Sequence, residues 1–151
     1  VRKAVSELPP DQVTSDLKAT VAYAKALPAS NGKVVVAGFC WGGSQSFRFA
    51  THSDQIEAAF VYYGTAPEEK EALKRISVPV YGFYAENDER VNATLVETAE
   101  AMKELGKDFR MEIFANAGHG FMRAGEAPDA NEGNKKARAL GWQRTLELLN
   151  K

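Results

Sequence analysis

"KVVVAGFCWGGSQSF", residues 33–47, passes from an apolar, β-branched run through a glycine-flanked cysteine into a segment without proline. The run at 33–39 has the length of a strand and is apolar at consecutive positions, as expected where a parallel sheet is covered on both faces. Beyond it, Phe47 and Ala50 lie three apart and read as a short packed helix. A strand turning into a helix at a cysteine frames a nucleophile elbow: Gly38, Phe39, Cys40, Trp41 and Gly42 spell GxCxG, the thiol form of GxSxG. The nucleophile of such an elbow is strained, and side chains at positions 38 or 42 are expected to collide with the adjoining strand or helix. At a helix N-terminus the positive end of the macrodipole favours thiolate. There the Trp41 N–H is expected to face a developing oxyanion.

Three more apolar runs follow: "IEAAFVYYG" at 56–64, "VPVYGFYAE" at 78–86 and "FRMEIFANA" at 109–117. The last alternates more and is expected nearer a sheet edge. Between the runs lie helical patterns. Val13, Leu17, Val21 and Ala24 make one face of an amphipathic helix closed by Pro28 and Gly32, and Leu95, Ala99, Met102 and Leu105 make another, ending at Gly106. "TAPEEKEALKRIS" at 65–77 reads as a polar helical link, and Ala139, Trp142, Leu146 and Leu149 mark a C-terminal helix. Strands alternating with helices predict an α/β fold: a mainly parallel sheet with helices on both faces, right-handed crossovers, and chemistry at the C-terminal ends of the strands. With no linker or repeat in its 151 residues, 1–151 reads as a single domain.

Composition removes several classes of function. The chain has 19 basic and 20 acidic residues and no long block of one sign, so no nucleic-acid partner is expected. No stretch is apolar enough to cross a bilayer, and no membrane partner is expected. One cysteine cannot form an internal disulfide, which fits a reducing, cytoplasmic location and leaves export open. The N-terminal residues as they stand do not spell a signal peptide, and the opening "VRKAVSEL", without Met, fits a chain processed or cut from something longer. Two distant histidines and one cysteine offer no metal-ligand pair, and "GFCWGGS" has neither GxGxxG nor GKS/T for a phosphate. No cofactor is expected.

The strand ends direct attention to "GFCWGG", "AENDER" and "ANAGHGF". Alone, Cys40 reads as a small buried hydrophobe, Asp88 as a solvated loop carboxylate and His119 as a turn residue. Together they have the types and chain order of nucleophile, acid and histidine, each just past a strand. His119 would take the thiol proton and return it to a leaving alcohol, while Asp88 fixes the ring tautomer. His52 matches nothing and is expected at the surface. Ser44 and Ser46 lie inside the helix, off the elbow.

With GxCxGG, the aspartate and the "AGHGF" histidine placed, the chain from about Asp11 onward resembles the dienelactone hydrolase (carboxymethylenebutenolidase) family of α/β-hydrolases. The resemblance implies a cofactor-free enzyme opening a lactone ring through an acyl-enzyme on Cys40, with Asp88 orienting and His119 acting as general base. It also implies that Arg123, four residues beyond His119 in "HGFMR", binds a substrate carboxylate, to which a guanidinium fork is suited; the alternative is a solvated surface arginine. Tyr63, beside Tyr62, resembles a pocket stretch, and burial is the simpler account of at least one of the two. The family's first strands, its second oxyanion donor, a glutamate facing the cysteine and another arginine have no counterpart here, so the chain resembles a C-terminal portion of the fold. Its first strand is then expected at an open edge that a partner chain or oligomer would complete. The activities left open are a broad carboxylesterase or thioesterase, an inactive structural fragment or interaction module, and a thiol redox sensor lacking a resolving cysteine.

Overall fold

The computed structural model describes residues 4–5 and 7–150. Four strands, β1 (Val36–Phe39), β2 (Ala59–Tyr62), β3 (Val80–Asn87) and β4 (Phe109–Gly118), form one parallel sheet in the order β1-β2-β3-β4. Val36 stands opposite Ala59, Ala59 opposite Val80, and Val80 opposite Phe109, so the strands start level. Their C-terminal ends therefore converge on one edge of the molecule, where parallel sheets carry their sites.

The helices are α1 (Pro10–Ala26), α2 (Trp41–Ala50), α5 (Leu95–Glu104) and α7 (Glu132–Leu149), with the four-residue turns α3 (Lys70–Leu73), α4 (Glu89–Asn92) and α6 (Phe121–Ala124) between them. Because strand side chains alternate between faces, β2 feeds two cores. Ala59 and Val61 join Val21, Phe47, Phe49 and Met102 from α1, α2 and α5. Phe60 and Tyr62 join Phe83, Phe114 and Ala137 on the face covered by α7. Each fully buried phenylalanine here contributes roughly 1.5–3 kcal/mol relative to exposure.

The stripe that marks α7 in the sequence is not the face that packs. Trp142, Leu146 and Leu149 are exposed, whereas Ala137, Gly141 and Thr145 face the sheet. The reason is distance. A Cβ on Gly141 would lie 3.3 Å from both Met122 Sδ and Tyr62 Cε1, and the Tyr62 hydroxyl donates to Gly141 O at 3.0 Å and meets Thr145 Oγ1 at 2.6 Å. Only small or hydroxylated side chains fit so close an approach. The polar link at 65–77 is helical only at Lys70–Leu73.

β1 is an edge strand among the described residues. The Val36 and Cys40 N–H groups donate to Ala58 O and Tyr62 O, both at 3.1 Å, so ladder alternation turns the backbone of Ala37 and Phe39 outward. Phe39 is 41% exposed beside Trp41 at 39%.

Candidate active site

Cys40 occupies the junction of β1 and α2 with φ 54° and ψ −120°, a conformation that costs a non-glycine residue on the order of 1–3 kcal/mol. Surrounding bonds hold it. Cys40 N–H donates to Tyr62 O, and Ser44 N–H donates to Cys40 O at 3.1 Å. The turn is tight because Gly38 lies against the first turn of α2, where a Cβ would come 2.0 Å from Gly42 O. Gly42 itself is different: nothing lies within 4 Å of the place its Cβ would take. The collision expected there belongs instead to Gly43, whose Cβ would stand 2.6 Å from Tyr62 O. The thiol is exposed at the N-terminus of the ten-residue α2, where the helix dipole favours a negative sulfur. The Trp41 N–H is the first of that helix, one of the donors without an intrahelical acceptor.

Asp88 follows β3 and caps α4, its carbonyl accepting from Val91 and Asn92 N–H. It is 6% exposed, not a solvated loop carboxylate. His119 follows β4, just before Gly120, whose φ of 79° only glycine adopts cheaply. The ring bridges the two other groups: Nδ1 lies 2.6 Å from Asp88 Oδ2 and Nε2 lies 3.1 Å from Cys40 Sγ. A carboxylate only accepts, so Nδ1 carries a proton and Nε2 is left to exchange one with sulfur. The structure thus brings Cys40, His119 and Asp88 into one hydrogen-bonded line from three strand ends.

Cys40 and His119 open onto a cleft of about 840 Å³ whose walls include Phe39, Trp41, Tyr63, Arg123, Arg138 and Trp142. Arg123 is exposed on α6 and faces this cleft. Tyr63 is both buried, at 2% exposure, and part of the cleft wall. Its ring lies 5.1 Å from that of His119, and burial, reinforced by Cys40, holds its phenol well above the usual range. Arg138 carries no mark in the sequence, yet it lines the cleft, and its Nε donates to Met122 O at 3.0 Å. Nothing in a helical arginine distinguishes it from a solvated one.

The serines and the second histidine lie elsewhere. Ser46 is 2% exposed, and Ser44 Oγ accepts from Thr65 N–H at 2.9 Å. His52 is half-buried rather than on the surface, its Nδ1 lying 3.0 Å from Arg48 O at the C-terminal end of α2. No helix among the described residues is long and apolar enough to cross a membrane.

Comparison with known proteins agrees with this arrangement of strands and helices. The model of the dienelactone hydrolase family matches residues 1–151. A relative in Methylorubrum extorquens that carries the provisional name carboxymethylenebutenolidase is 33% identical over 132 residues, covering 80% of this chain and 45% of its own. One of the same name in Yersinia pestis is 29% identical, covering 97% of this chain and 57% of its own. A crystal structure from Klebsiella pneumoniae, provisionally called a dienelactone hydrolase, superposes with a TM-score of 0.82 at 25% identity, over 95% of this chain and 62% of that one. The chain spans about half the length of the curated relatives it matches.

Proposed function

Because the chain belongs to the dienelactone hydrolase family, we propose that it hydrolyses a lactone or activated ester bearing a carboxylate, through Cys40, His119 and Asp88. The Cys40 sulfur attacks the carbonyl carbon as its proton passes to His119 Nε2. A tetrahedral oxyanion forms beside the Trp41 N–H. As it collapses, the carbon–oxygen bond of the alcohol side breaks and His119 returns the proton to that oxygen, leaving a thioester on Cys40. Water, deprotonated by His119, then attacks the thioester carbon, and the acid leaves as the thiol is restored. Asp88 keeps Nδ1 protonated and stabilises the imidazolium. Arg123 holds the substrate carboxylate, and Tyr63 forms the wall beneath it. No cofactor enters the cycle.

The observation that carries this reading is the unbroken line of contacts, 2.6 Å from carboxylate to ring and 3.1 Å from ring to sulfur. Its test is kinetic. Cys40→Ser is expected to lose most turnover, and Arg123→Ala to raise KM for anionic esters more than for neutral ones. Parental behaviour in both variants would refute the assignment; loss in the first with no charge selectivity in the second would indicate a broad carboxylesterase or thioesterase.

A second reading is favoured by the open β1 edge beside exposed Phe39, Trp41 and Trp142: the chain works only as a portion of a larger hydrolase or as an interaction module. Losing one oxyanion donor costs about 10²- to 10³-fold in rate. A stable monomer without turnover, found by light scattering and a lactonase assay, would favour that reading.

A further inference from the structure

β3 and β4 lose their even pairing before the site. Ala85 stands opposite Phe114, but Asn87 stands opposite Gly118, so β4 carries two extra residues over the same span. Within that excess, Asn116 has φ 58°, and Gly120 beyond the histidine has φ 79°. His119 therefore leaves the sheet between two left-handed residues, on a segment that regular ladder bonds do not hold.

Two side chains take the place of the ladder. Glu86 Oε2 accepts from Asn116 N–H at 2.7 Å. Asn134 Oδ1, in the first turn of α7, accepts from Gly118 N–H at 2.8 Å, one residue before His119. Asn134 is itself anchored, its own N–H donating to the Asn131 side chain at the N-cap of α7 at 2.8 Å. The packing is close on either side. A Cβ on Gly133 would lie 2.2 Å from Asn116 O, and one on Gly125 would lie 2.3 Å from Asn134 O.

We propose that Asn134 is a positioning residue for the reaction, its side-chain oxygen fixing the Gly118 peptide so that the His119 ring spans Cys40 and Asp88. The inference rests on the reading of those three residues given above. Without the acceptor the half-buried Gly118 N–H loses its partner and the 116–120 segment is released from α7. Displacement of about 1 Å at a reacting group costs on the order of 10²-fold in rate.

The test uses two readouts on the full chain: the pH at which iodoacetamide alkylates Cys40 at half its maximal rate, and the kcat and KM for p-nitrophenyl acetate. In the parent, contact with the ring is expected to bring alkylation to half-maximum below the ordinary thiol range near 8.5. Asn134→Ala is expected to move that point upward toward ~8.5 and lower kcat by ~10- to 100-fold, with KM changed less than ~3-fold. Asn134→Asp, which keeps the accepting oxygen, should retain the parental profile. Should the alanine variant fail to fold, Asn134→Ser, too short to reach Gly118, serves in its place. A folded alanine or serine variant with the parental alkylation profile overturns the inference while leaving the roles of Cys40 and His119 standing. A parent that alkylates as an ordinary thiol refutes those roles themselves.

Discussion

Adding one methyl group at Gly38 should unseat the elbow, and adding one at Gly42 should not. At Gly38 the new carbon would meet Gly42 O at 2.0 Å, Gly42 C at 2.3 Å and Ser46 Oγ at 2.6 Å, where anything under 3.0 Å forces a shift. Two of those three atoms are backbone, so relief requires the first turn of α2 to retreat from β1 by about 1 Å, and overpacking of this kind costs typically 1–3 kcal/mol. A backbone obstacle belongs at the upper end. For a domain of this size each kcal/mol moves Tm by roughly 2–4 °C, giving a fall of about 6–12 °C for Gly38→Ala. At Gly42 the methyl group meets nothing within 4 Å. Replacing a helical glycine by alanine gains up to ~1 kcal/mol, so Gly42→Ala should melt at or slightly above the parent. Paired thermal denaturation by circular dichroism measures both. Equal losses in the two variants, or a Gly38→Ala protein as stable as the parent, would show that the strand–helix approach is not what requires glycine at position 38.

Other consequences follow from the buried phenols and their partners. Tyr62→Phe leaves Thr145 Oγ1 and Gly141 O without the hydroxyl that now reaches both; urea denaturation should register a loss of about 1–3 kcal/mol, and an unchanged midpoint would mean that α7 does not depend on this contact. Burial holds the phenols of Tyr62, Tyr63 and Tyr84 above the ordinary value, so their stabilisation is complete below about pH 10, where the unfolded tyrosines titrate. As pH rises beyond that, the unfolded chain releases protons first and stability must fall. Urea midpoints at pH 7, 8.5 and 11.5 should be level between the first two and drop at the third, and a flat series would contradict the burial of these rings.

The strands were legible because a sheet covered on both faces demands apolar residues at successive positions, and each of the four runs overlaps a strand, with β3 and β4 reaching one residue further. The elbow was legible for the same reason together with its glycines, although only Gly38 of the two flanking residues is confined. The turns Glu89–Asn92 and Phe121–Ala124 were not, since four residues display no period. α7 shows how a stripe misleads: Trp142, Leu146 and Leu149 face outward, and the closest contact with the sheet is made through Ala137 and Gly141, which carry almost no hydrophobic signal, with Leu140 and Leu148 packed beside them. Cys40, Asp88 and His119 could be aligned by type, order and strand-end position. Asn134, Glu86 and Arg138 could not. Each works through a contact to backbone distant in sequence, and a polar residue in a helix or at a strand end looks the same whether it makes such a contact or faces water.

The proposed reaction requires that Cys40 become acylated, with His119 moving the proton. Rapid-quench mass spectrometry of the chain turning over p-nitrophenyl acetate tests it directly. An acetyl group on the peptide containing Cys40, formed at the rate of the nitrophenol burst and strongly slowed in His119→Ala, is the predicted result. Turnover with no adduct on that peptide, or an adduct formed at the parental rate without the imidazole, would contradict it.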